Sequence, residues 1–229
     1  MLTRQDRTVA DCLELLDVIA PLGLRHIGFK DVGVDVDRLR RLNRRIKDAG
    51  ATSYMEIVSE SRAASQRAAR LAAEIGVDCL LGGTGPEAVL AATAGQAIAY
   101  YPYPGLPSGH PTRLGGSPQL IARHCRAFVD AGCPGVTLLA YRSTEAEPLD
   151  LIRAARQALG KARLIVAGSI DTPARIRALA EAGGRLGRTD WIGRAAVAFD
   201  TLLAAAEAPD GLLFHCIEPD GERAVHGLL

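Results

Sequence analysis

Strand-like and helix-like segments alternate along this chain from end to end. Short apolar runs of β type fall at residues 24–30, 52–59, 79–83, 97–102, 135–142, 164–168 and 190–193. The stretches between them carry apolar residues at helical spacing. Val9, Cys12, Leu13 and Leu16 form one such face, and Leu120, Ile121, His124, Cys125 and Phe128 form another. Ser117-Pro118 and Thr172-Pro173 mark helix starts, each with a capping side chain before a proline at the first helical position. Strict βα alternation admits two architectures, a closed (β/α)8 barrel or an open doubly wound sheet.

Two glycine turns favour the barrel. Val166-Ala167-Gly168-Ser169-Ile170 and Trp191-Ile192-Gly193-Arg194-Ala195 each run from an apolar strand through a glycine toward a helix start. In a (β/α)8 TIM barrel the loops after the seventh and eighth strands build a phosphate site. Glycine lets the backbone approach an anion closely, and the free N–H groups of a helix start carry partial positive charge. The seven strands counted so far are one short of closure. A helix at residues 9–20 already precedes the strand at 24–30, so residues 1–4 must supply the first strand. The glycine turns then follow strands seven and eight. This reading assigns residues 1–208 to a single TIM-barrel domain and leaves 209–229 as a C-terminal tail of undefined role. A length of 229 residues suits one barrel.

Bulk properties exclude several classes of partner. The 27 basic and 26 acidic residues leave a formal net charge of +1, too little for an electrostatic role on nucleic acid or an anionic membrane. Cys12, Cys79, Cys125, Cys133 and Cys216 match neither a zinc nor a disulfide framework, which fits a reducing compartment. With no signal peptide or membrane-length apolar run, the expected location is the cytoplasm. No His, Asp and Glu cluster suggests a catalytic metal. Neither a GxGxxG after a first strand nor a Walker sequence is present, so no metal and no cofactor are expected.

Side-chain alternation selects the candidate catalytic residues. In His26-Ile27-Gly28-Phe29-Lys30, apolar Ile27 and Phe29 face the helices, so Lys30 points into the barrel near its mouth. The same alternation turns Glu56 inward on the next strand. Buried Lys and Glu each cost several kcal/mol unless paired, so Lys30 and Glu56 are expected to meet as an acid–base or Schiff-base pair. Asp31 lies at the rim beside Lys30. Tyr141 is expected to face inward at the end of the sixth strand, with Arg142 clamping an anion from the rim. Thr3, Arg4 and Asp6 lie within reach of the mouth. His110 and Arg113 sit in a long Pro- and Gly-rich loop, residues 102–117, that would bring them over a ligand if it served as a lid. Gly168, Ser169, Gly193 and Arg194 are the candidate phosphate holders, with Arg142 and His110 as further substrate contacts. His26 reads as a hydrogen-bonded core histidine.

At Ala167-Gly168-Ser169-Ile170 and Ile192-Gly193-Arg194-Ala195 the chain resembles the ribulose-phosphate-binding barrel superfamily. That group includes the histidine- and tryptophan-pathway isomerases, ribulose-phosphate epimerase and the orotidine-phosphate decarboxylase relatives. No individual member is matched, because Lys30 lacks the decarboxylases' flanking aspartates and the epimerases' metal ligands are missing. Ser169 stands where many of these enzymes carry a second glycine. The resemblance implies a metal-independent lyase or isomerase acting on a small phosphorylated metabolite. Two alternatives share the same residues: a Schiff-base aldolase using Lys30, and a barrel that binds a phosphometabolite without turning it over. A homo-oligomer with the tail as interface is a further option.

Overall fold

In the computed structural model the described residues are 1–4, 6–58, 61–83, 85–170, 173–182, 214–217 and 225–226. They form a mixed α/β fold. A parallel sheet runs in the order β3 (His26–Lys30), β4 (Thr52–Ile57), β5 (Cys79–Gly82) and β6 (Ala99–Tyr101). Helix α1 (Cys12–Ile19) precedes β3, α2 (Val36–Asp48) connects β3 to β4, α3 (Arg62–Ile75) connects β4 to β5, and α4 (Pro86–Ala92) connects β5 to β6. Each of the three connecting helices starts where the sequence supplies a cap or a proline. Asp35 accepts from the Arg38 amide, Ser61 accepts from the Ala64 amide, and Pro86 opens α4.

A second sheet places β9 (Gly135–Leu138) parallel to β10 (Arg163–Val166). Helix α5 (Pro118–Asp130) leads into β9, α6 (Pro148–Leu159) leads into β10, and α7 (Pro173–Ala182) follows it. Ile121 and Cys125 of the expected α5 face are buried. The two sheets meet where the Thr137 amide donates to the Pro102 carbonyl at 3.0 Å. The alternating βα rhythm thus continues across both.

The ends of the chain differ from the sequence expectation. Residues 1–4 contribute only β1 (Thr3–Arg4), which folds back antiparallel on β2 (Arg7–Thr8). Asp6 in the turn between them adopts a left-handed backbone, φ 56°. The segment is still seated on the edge of β3. The Leu2 amide donates to the Gly28 carbonyl and the Thr8 amide to Val32, both at 2.8 Å. The expected eighth strand, residues 190–193, lies outside the described residues. The free edge of β10 instead receives β11 (Phe214–Ile217), antiparallel, from the expected tail, and β12 (Val225–His226) adds to β11.

The long loop is not structureless. Residues 102–117 contain a β-hairpin of β7 (Leu106–Ser108) and β8 (Arg113–Gly115). Cys12, Cys79, Cys125 and Cys133 are free and buried. Among the described residues no helix is long and apolar enough to cross a membrane.

Thr8 fixes the C-terminal end of β3. Its hydroxyl accepts from the Lys30 amide and donates to the Lys30 carbonyl, both at 2.8 Å and both buried. Thr8→Val keeps the shape but strands two buried backbone groups, so it should destabilise the fold by roughly 2–3 kcal/mol in urea unfolding.

Candidate functional site

Lys30 and Glu56 are aligned partners on β3 and β4 and face the same side of the sheet. Both are buried, and the Lys30 Nζ to Glu56 Oε1 distance is 3.2 Å. The expected pair is therefore formed. It belongs to a larger cluster. Lys30 Nζ also donates to Asp6 Oδ1 at 2.8 Å. Arg142 grips the same carboxylate with both guanidinium nitrogens, Nη1 to Oδ2 at 3.0 Å and Nη2 to Oδ1 at 3.2 Å. Tyr103 donates its hydroxyl to Glu56 Oε1. The Thr112 amide donates to Asp6 Oδ2 at 3.2 Å, and Arg142 Nη1 donates to the Thr112 carbonyl at 3.3 Å.

These contacts carry architectural information. Asp6 precedes β3, and Arg142 follows β9, with β4, β5 and β6 between. Strands about 4.8 Å apart would hold the two ends of a flat sheet roughly 20 Å from one another. They touch at 3.0 Å. The turn before β3 and the turn after β9 therefore converge, and their side chains meet over the ends of the strands between them.

The formal charges of Lys30, Arg142, Asp6 and Glu56 cancel, which lets four charged groups share a buried space. Burial pushes the Asp6 carboxyl up, but the Arg142 hydrogen bonds and the Lys30 charge outweigh it and hold Asp6 well below the usual carboxylate range. Burial, and then the charge of Glu56, raises Tyr103 well above an ordinary phenol, so it remains a proton donor to Glu56. Asp31 stands apart from the cluster, its Oδ1 accepting from the Val58 amide at 3.1 Å. Burial raises its carboxyl to about 6.

The end of β9 corrects one expectation. Alternation turned Tyr141 inward, but β9 stops at Leu138 and residues Ala140–Arg142 form a 3-10 turn. The turn breaks the period of two, so Arg142 reaches the interior. Tyr141 packs its ring against the guanidinium of Arg175, with 5.1 Å from Cζ to the ring centroid. His110 is likewise not at the cluster. It and Arg113 are exposed on the hairpin, and Thr112 between them turns inward. His26 is hydrogen-bonded as expected but half-buried rather than in the core. Its Nδ1 lies 2.9 Å from the Tyr54 hydroxyl, and burial, then the charges of Arg163 and Arg25, push it down to about 4.

The first glycine turn follows β10. Gly168 and Ser169 are both left-handed, at φ 79° and 56°. A Cβ on Gly168 would lie 2.6 Å from Arg142 Nε, so the missing side chain lets Arg142 pass along the turn. Arg175 of α7 donates to the Ser169 carbonyl at 2.6 Å. Two guanidinium groups thus flank this turn. Gly193 and Arg194 lie outside the described residues.

Sequence reasoning missed Tyr103 and Thr112, and it placed Asp6 within reach of the mouth without pairing it with Lys30 and Arg142. A signal for Tyr103 exists in Gly82. A Cβ on Gly82 would come within 2.4 Å of the Tyr103 ring, so a glycine ending β5 marks the place where an aromatic crosses. Among the described residues no group of three His, Cys, Asp or Glu side chains could hold a metal ion. Compared with known proteins, the chain matches no family model and no curated sequence.

Two substitutions test this geometry. Asp31 has a folded pKa of about 6 against an ordinary 3.8. Its ionisation therefore costs the folded state nothing below pH 3.8, and the full cost applies above pH 6. Asp31→Asn, which can still accept from Val58, should raise stability at pH 7 by about 2–3 kcal/mol and leave it unchanged at pH 3.5. Chemical denaturation at both pH values checks this. Gly82→Ala should drive Tyr103 off Glu56 and cost roughly 1–3 kcal/mol, visible as a lower urea midpoint.

Proposed function

We propose that the chain is a (β/α)8-type barrel and a metal-independent lyase or isomerase that acts on a small phosphorylated metabolite. The observation that carries this reading is the cluster of buried Lys30, Glu56, Asp6 and Tyr103 with half-buried Arg142 at the C-terminal ends of the parallel strands. Enzymes built on such sheets work at that end. Lysine is almost never fully buried without a partner or a task, and Lys30 is 2% exposed.

The residues divide the work as follows. Lys30 Nζ is the proton donor or electrostatic stabiliser at a developing oxyanion. Glu56, held by Tyr103, is the base or orienting partner. Arg142 fixes an anionic group of the substrate, and the Gly168–Ser169 turn supplies backbone N–H groups to its phosphate. The flanking of this turn by Arg142 and Arg175 supports an anion there.

A second reading, a Schiff-base aldolase, rests on the same buried lysine. Lys30 Nζ would pass a proton to Glu56 and attack a substrate carbonyl carbon, and the carbonyl oxygen would leave as water. Borohydride reduction with a matching phosphorylated aldehyde or ketone would then add the substrate's mass less one oxygen at Lys30. The same treatment without mass gain would favour the proton-transfer reading.

Phosphate binding is the first test. Inorganic phosphate should raise the melting temperature of the wild-type protein in a concentration-dependent way. Gly168→Ala should abolish that rise, because its Cβ fills the space along Arg142. Once a substrate is in hand, Lys30→Met should lower turnover about 100-fold or more. A phosphate response that is absent, or unchanged in Gly168→Ala, would overturn the phosphate assignment.

A further inference from the structure

At the centre of the cluster, Lys30, Glu56, Asp6, Tyr103 and Thr112 are all buried. No metabolite reaches Lys30 Nζ unless something above it moves. Among the described residues, the tip of the β7–β8 hairpin is placed to do so. Residues 108–111 and Arg113 are exposed, and Thr112 is the single buried residue of the tip. Among the described residues, the hydrogen bonds that hold residues 108–113 to the rest of the protein both run through Thr112. One is the Thr112 amide to Asp6, and the other is Arg142 to the Thr112 carbonyl. Leu114, one residue farther along, is fully buried and its carbonyl accepts from the Thr144 amide at 2.9 Å, so the base of the hairpin is anchored.

We infer that residues 108–113 form a gate over the Lys30 site, latched by Asp6 and Arg142 through Thr112 and hinged at the Leu114 anchor. A segment with one buried residue and two polar contacts opens at far lower cost than the strands beneath it. The latch is coupled to the site. Asp6 binds Lys30 and Thr112 through different oxygens, and Arg142 bridges both. An anion that takes Arg142 from Asp6 therefore removes one of the two holds on the tip. The gate serves the ligand site proposed above, and that proposal is the reading on which its purpose rests. Its motion is a property of the empty protein.

Native-state hydrogen exchange of the full chain tests it without any ligand. The Thr112 amide should exchange at least 10-fold faster than the amides of Phe29 and Lys30 on β3, with almost no dependence on sub-denaturing urea. If Thr112 exchanges at the rate and urea slope of β3, the tip opens only with global unfolding and there is no gate. Asp6→Ala, which leaves the Thr112 amide without its acceptor, tests the latch. It should speed Thr112 exchange a further 10-fold with no rise in the urea dependence of that exchange, whatever the global destabilisation does to the core amides. A folded Asp6→Ala with unchanged Thr112 exchange would overturn the latch, and if that variant fails to fold, the wild-type urea dependence alone decides the gate. These results hold whether or not phosphate binds, so the gate and the catalytic reading fail separately.

Discussion

The carboxylate of Asp6 is the interaction on which the rest of this site depends. It meets the ammonium of Lys30, the two-pronged guanidinium of Arg142 and the amide of Thr112. Each of those groups comes from a different part of the chain. Without Asp6, Lys30 would keep only Glu56, and Arg142 would be a charge in a largely buried space with no carboxylate. Removing one partner of such a group typically costs about 3–5 kcal/mol, because the remaining charge is stranded. The left-handed backbone at Asp6 is consistent with that demand: the fold accepts local strain to deliver a carboxylate to this point.

The cluster also explains how curvature and chemistry reinforce each other here. A parallel sheet with helices outside twists of its own accord. The Asp6–Arg142 ion pair then ties the turn that precedes β3 to the turn that follows β9. The burial that results strengthens every charge interaction inside.

Much of the frame was legible in the sequence because it rests on periodicity. The helix start at Ser117, the strand at β3 and the meeting of Lys30 with Glu56 all follow from alternation and capping, which are local rules. What alternation could not give was its own end point. Arg142 replaced Tyr141 because a 3-10 turn cut β9 short, and no apolar pattern announces such a turn. Tyr103, Thr112 and Asp6 lie in loops and turns, where side-chain direction is set by tertiary contacts. The hairpin inside residues 102–117 was hidden by its prolines and glycines, which read as loop. The antiparallel arrival of β11 beside β10 has no local signature, since Phe214–Ile217 reads equally well as any short apolar run.

The hold of Thr8 on the backbone of Lys30 has a consequence for how this protein can change. The hydroxyl grips the amide and the carbonyl of residue 30, whatever side chain that residue carries. Position 30 is thus held twice, through its main chain by Thr8 and through its side chain by Asp6 and Glu56. The main-chain hold would survive a change of side chain, whereas the charges of Asp6 and Glu56 would not, so position 30 can vary only together with those two carboxylates.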